Sequence, residues 1–186
     1  MTTREARVGL GRSFFGPPRP RTETLLAVAG SVIVTALLAG YVWQLGGWRD
    51  RSALQIAVLA VIIVDLIAGI FTTSSPTANR WYHRANARRF RLGFVLVHTS
   101  YFVVPALVFG TGWVWAIANS GLLLGAAAVI ESAPIEHKRT VAVGAALTAA
   151  LIGLIWLPLP AALGWLPVLL FVKVLVCFLV PADGRP

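Results

Sequence analysis

The sequence predicts an all-α integral membrane protein, a bundle of six transmembrane helices with both termini cytoplasmic. Three observations carry that expectation. Of the 186 residues, 58% are hydrophobic and 12% charged, whereas a soluble domain carries about 25% charged residues to cover its surface. Several apolar runs reach the roughly 20 residues that a helix rising 1.5 Å per residue needs to cross a bilayer, and none alternates like an outer-membrane strand. The basic residues, finally, gather on one side of the implied membrane. The formal charge of +9 does not point to nucleic acid, because the cations flank apolar spans instead of interleaving with aromatics on a soluble face.

Residues 1–23 read as a basic cytoplasmic tail carrying Arg4, Arg7, Arg12, Arg19 and Arg21. The apolar run behind them is too long for the core of a secretory signal, and no small-x-small cleavage site follows it. The transmembrane domain occupies residues 24–181. Hydropathy and breakers place its spans at Thr24 to Gly46, Ala53 to Thr73, Leu92 to Gly110, Gly112 to Ser132, Thr140 to Leu157 and Ala161 to Val180. Gly110-Thr111-Gly112 interrupts a run that would otherwise far exceed a bilayer, so the third and fourth spans are expected to form a tight hairpin. The longest connection, Ser74 to Arg91, is expected to be a loop. Residues 182–186 form a short cytoplasmic tail.

Orientation follows from the loops. Arg80, Arg84, Arg88, Arg89 and Arg91 in the second connection, Lys138 and Arg139 in the fourth, and Arg185 at the end fall on the same side as the basic tail. The opposite side has Arg49 and Arg51. Cytoplasmic loops carry the excess of Arg and Lys, so a multi-pass protein of the plasma (cytoplasmic) membrane is expected. Trp43, Trp48, Trp113, Trp115, Trp156 and Trp165 would then lie near the outer ends of spans, as an interfacial belt.

Within this frame Asp65 stands out, because a carboxylate inside an apolar span needs a partner, a proton or water, and is by default a candidate for function. It lies about 12 Å from the cytoplasmic end of its helix, and His98 and Lys173 lie about 10 Å from theirs. Glu131 ends the fourth span on the same side. Side chains lean toward a helix's N-terminus, so Asp65, Glu131 and Lys173 lean into the membrane while His98 leans toward the Asp65 level. The four are expected to form one site, with Asp65, His98 and Glu131 catalytic and Lys173 and Tyr101 contacting substrate.

Each residue also has a plainer reading. Asp65 would be a packing acid held by Lys173, on a face continued by the small residues Ala68, Gly69 and Thr72. His98 would be a core histidine satisfied by a carbonyl, although it opens a polar run to Tyr101, whose carbonyl Pro105 leaves without a helix partner. Glu131 would pair with the basic connection behind it. Arg80 and Arg84, beside Tyr82 and His83, would hold a phosphate head or serve only as a topology signal.

No zinc spacing, aspartate-rich diphosphate motif, nucleotide loop or serine elbow is present, so neither cofactor nor metal is expected. Three function classes remain. The leading one is a small enzyme using intramembrane acid–base residues on an apolar or isoprenoid lipid substrate of the cytoplasmic leaflet, in a cyclisation or isomerisation, since an uncharged carboxylic acid in an apolar cavity protonates a double bond without a metal. The others are a proton-coupled transporter or channel, and a non-catalytic subunit or assembly factor in which Asp65 and Lys173 simply touch. Expected partners are membrane lipids with anionic headgroups, and a second copy or a larger membrane complex.

Overall fold

The computed structural model describes residues 18–182; Arg4, Arg7, Arg12 and Arg185 lie outside them. The described residues form helices α1 (Arg21–Gln44), α2 (Ala53–Ser74), α3 (Pro76–Tyr82), α4 (Arg88–His98), α5 (Ser100–Phe109), α6 (Trp113–Ser132), α7 (Lys138–Trp156) and α8 (Trp165–Phe171), and α8 runs directly into a π-helix, Val172–Phe178. Taking α4 and α5 as one helix, five helices are long and apolar enough to cross a membrane. The sixth expected span appears as the shorter apolar helix Trp165–Phe178.

Local chemistry sets the boundaries. Ser52 and Gln55 form a reciprocal capping box at the start of α2, satisfying two donors that the helix itself leaves open. Gly110 and Gly112, at φ 67° and 92°, turn the chain between α5 and α6 in backbone conformations that a Cβ disfavours. The expected hairpin is therefore present. The connection from Ser74 to Arg91 is not only a loop: Ser75 caps α3 through the Ala78 amide, and Pro76 occupies its first turn, where a missing N–H does no harm. Glu23 of α1 accepts from the Thr77 hydroxyl at 2.9 Å, tying α3 to the first helix.

The third span is irregular at Thr99, not at Pro105. Thr99 donates its hydroxyl to the Leu96 carbonyl at 2.7 Å, and Phe102 N–H bonds to Thr99 O three residues back, a tightened turn. Pro105 lies buried within α5 without ending it.

The π-helix is the hub of the bundle, packing against α2, α3, α6, α7 and α8. Its Val174, Leu175 and Phe178 are buried with Leu170 and Phe171 of α8, Phe102 of α5, and Leu123 and Ile130 of α6. Ala142, Ala146 and Ala149 give α7 a small-residue face among the buried residues, which allows close helix approach. By contrast α1 packs chiefly on α2 and exposes Leu26, Val32, Leu37 and Trp43. Trp113 and Trp156 are exposed. Trp115 departs from the belt: it is buried edge-on against Phe102, ring centroids 5.4 Å apart, because the start of α6 turns it inward.

Candidate functional site

Asp65 sits on α2 with its side chain 48% exposed, while the Lys173 side chain approaching it from the π-helix is 3% exposed. Lys173 Nζ forms an ion pair and hydrogen bond with Asp65 Oδ2, and Tyr101 of α5 donates its hydroxyl to the same oxygen. Nζ also lies 3.3 Å from the Asp65 carbonyl and 5.3 Å from the centre of the Tyr101 ring, a cation–π arrangement. Both side-chain donors converge on Oδ2. Among the described residues no hydrogen bond reaches Oδ1.

Gly69 makes this geometry possible. It lies one turn beyond Asp65 on α2, and a Cβ there would collide with Lys173 Cε. Small residues on this face thus admit a long side chain rather than a neighbouring backbone. Beside the cluster, Ala57, Val58, Val61 and Ile62 of α2 and Ser100, Tyr101 and Val104 of α5 line a groove of about 320 Å³ that is open to the side. Val61 and Ile62 are four and three residues before Asp65, so the groove ends about one helical turn short of the carboxylate and reaches the cluster through Tyr101.

His98 joins the cluster only through Tyr101. Its Nδ1 lies 2.7 Å from the Phe94 carbonyl, so this nitrogen carries the proton and donates it. The imidazole lies between Phe94, 3.9 Å away between ring centres, and Tyr101, 5.4 Å away and nearly parallel. No bond links it to Asp65. The plainer expectation, a core histidine satisfied by a carbonyl, describes its position, and the ring braces Tyr101.

Glu131 belongs elsewhere, and the expected single site divides in two. Its carboxylate receives a bidentate pair from Arg91 at 2.7 and 3.1 Å and lies 3.8 Å from Lys138, with its side chain 3% exposed. Arg91 is two turns before His98 on α4, roughly 10 Å along the axis, so it intercepts Glu131 nearer the helix ends. Arg80 and Arg84, expected to contact substrate, line a basin of about 730 Å³ on this side together with Arg88, Arg91 and Lys138. Arg84 donates to the Trp81 carbonyl at 2.7 Å and stacks 4.2 Å from that ring.

Asn79, which sequence reasoning left unassigned, and His83, which it set beside the candidate phosphate site, hold this end together. Asn79 is buried, donates to the Val180 and Cys177 carbonyls, and accepts from the Ala182 N–H at 2.7 Å. His83 Nε2 lies 3.0 Å from the Phe178 carbonyl. Both satisfy carbonyls that the end of the π-helix leaves without partners. A polar residue in a basic connection carries no signal of that role. Burial, together with the positive charges of Arg91 and Lys138, pushes the His83 imidazole down to about 4, against the opposing pull of its bond to Phe178 and of Glu131.

Among the described residues no three His, Cys, Asp or Glu side chains group as metal ligands. Compared with protein-family models, curated proteins and solved structures, the chain matches none.

Proposed function

We propose that this chain is a six-span protein of the cytoplasmic membrane, termini inside, that performs acid–base chemistry on an apolar or isoprenoid chain entering sideways from the cytoplasmic leaflet. One observation carries the reading: Asp65 is half exposed one helical turn from an apolar groove that its partner Tyr101 lines, and among the described residues Lys173 and Tyr101 both bond its Oδ2 while none bonds Oδ1. A purely structural acid would be expected to have both oxygens satisfied and covered.

Passage of the Lys173 proton to Oδ2 would make Asp65 the acid that protonates one carbon of a double bond, and the carboxylate left behind would take a proton from another carbon, so no proton need leave the membrane. That balance is an isomerisation, or a cyclisation if a carbon–carbon bond forms between the two steps. The carboxylate and the face of the Tyr101 ring would stabilise the cationic transition state. His98 would fix the plane of that ring.

The direct Asp65–Lys173 contact also favours a second reading, a non-catalytic subunit whose ion pair only locks α2 to the π-helix. Asp65→Asn and Tyr101→Phe separate the two. Lipid extracts from membranes carrying the wild-type chain should contain an isoprenoid isomer or cyclised product that both variants lack while remaining folded. Identical lipid profiles with lowered thermal stability would overturn the enzyme reading in favour of the subunit.

A further inference from the structure

The basin between α3, α4 and the start of α7 is remote in chemistry from the Asp65 cluster. Its wall brings together five cations, Arg80, Arg84, Arg88, Arg91 and Lys138, from separate segments of the chain. Glu131 takes up two of them, Arg91 and, at longer range, Lys138. Lys138 is 8% exposed, a degree of burial that a solvated charge run does not show. The Asn86 backbone, at φ 61°, curls the chain between Arg84 and Arg88 so that both reach the same concavity; asparagine is one of the few residues that adopts this conformation readily.

The helix ends strengthen the case. Two helices, α4 and α7, begin at this wall with Arg88 and Lys138. Neither has a side-chain cap, and neither has an acidic residue in its first turn. A helix N-terminus carries partial positive charge and open N–H groups, and ordinarily draws Asp, Glu, Ser or Thr. Here both ends meet cations instead. Two helix N-termini and a cluster of cations therefore converge at this wall, an arrangement that an anion in the basin would stabilise.

We infer that this basin binds the phosphate-bearing headgroup of a membrane amphiphile, whether or not Asp65 performs chemistry. Arginine forks match the tetrahedral oxyanion of a phosphate monoester or diphosphate, and several of them favour more than one ionised oxygen. The volume suits a headgroup, and Ile135, Ala85 and Pro181 supply an apolar part of the wall. Arg84 is already held over Trp81, so its ordering precedes binding.

The test uses the full chain in nanodiscs of phosphatidylcholine doped with phosphatidic acid, with retained lipid measured after detergent exchange. Wild type should retain phosphatidic acid at least tenfold over phosphatidylcholine. Arg88→Gln and Arg84→Gln should each lower that preference severalfold, whereas Arg89→Gln, an exposed neighbour outside the basin wall, should leave it intact. Arg84 also braces Trp81, so Arg88→Gln carries the test alone if the Arg84 variant unfolds. Added inorganic pyrophosphate distinguishes the sources: displacement of the lipid assigns recognition to the phosphate itself, and persistence of an Arg88-dependent lipid assigns it to the whole headgroup. Equal losses in the Arg88 and Arg89 variants, or no preference in wild type, would overturn the inference.

Discussion

The first and last helices of the described chain, α1 and Trp165–Phe178, are both apolar and differ in almost everything else. α1 is the longest helix, begins and ends with polar neighbours, and shows most of its leucines and valines to the surroundings. Trp165–Phe178 is a shorter apolar helix, half of it is wound as a π-helix, and its inward residues form the core. The comparison teaches that apolarity serves two purposes in one chain. In α1 it suits an acyl environment, and in the last helix it fills the interior around a lysine. The wider π-helical winding occurs where Lys173 must reach Asp65, in line with the frequent occurrence of π turns at functional positions.

The sharpest way to break this contrast is to truncate one large side chain in each helix. Phe178→Ala, which removes a ring stacked 3.9 Å from Phe94, should destabilise by about 3–5 kcal/mol. Leu26→Ala at an exposed position of α1 should stay within about 0.5 kcal/mol; thermal unfolding in one detergent compares them directly. Comparable losses would mean that α1 is covered by something in the working protein.

Next in size is the ion pair. Lys173→Met should cost about 3 kcal/mol, because it leaves the Asp65 carboxylate without its cation. Combining it with Asp65→Asn should recover much of that loss, a coupling readable from a double-mutant cycle.

The glycines give a smaller and cleaner contrast. Gly69→Ala must displace Lys173 Cε and should destabilise by about 1–3 kcal/mol. Gly40→Ala, with nothing within 4 Å of the added carbon, should be neutral or stabilise α1 by up to about 1 kcal/mol.

The smallest effect is a pH dependence. The His83 imidazole is held at about 4 in the fold against 6.5 unfolded, so the unfolded chain takes up a proton first as pH falls. Its contribution is complete above pH 6.5 and is lost as pH drops toward 4. The melting temperature of wild type should therefore fall across that window more steeply than that of His83→Gln, which keeps a donor for the Phe178 carbonyl.

Several of these features were legible in the chain. Asp65 was conspicuous because a charge in an apolar run is rare, and Lys173 was its natural counter-ion. The small residue at 69 was legible as a close-approach site, though not that a lysine side chain fills it. The division of Glu131 from Asp65 was not legible, since depth along a helix says how far two residues lie from the same end but not which neighbour stands between them. Arg91 is that neighbour. α3 had a readable start in Ser75-Pro76, hidden inside a stretch whose charges drew attention first.

By itself the sequence determined the helical class and the long apolar helices, of which it predicted six and five are long enough to cross a membrane, because hydropathy acts over a few residues. Only the tertiary structure decided that the last apolar segment is the centre and the first is the rim. Transfer from water favours lipid and protein interior alike, so apolarity alone does not choose between them. It also decided that Asp65 and Lys173, 108 residues apart, share one carboxylate oxygen with Tyr101. That choice depends on the rotation and winding of three helices, set by packing across the whole bundle.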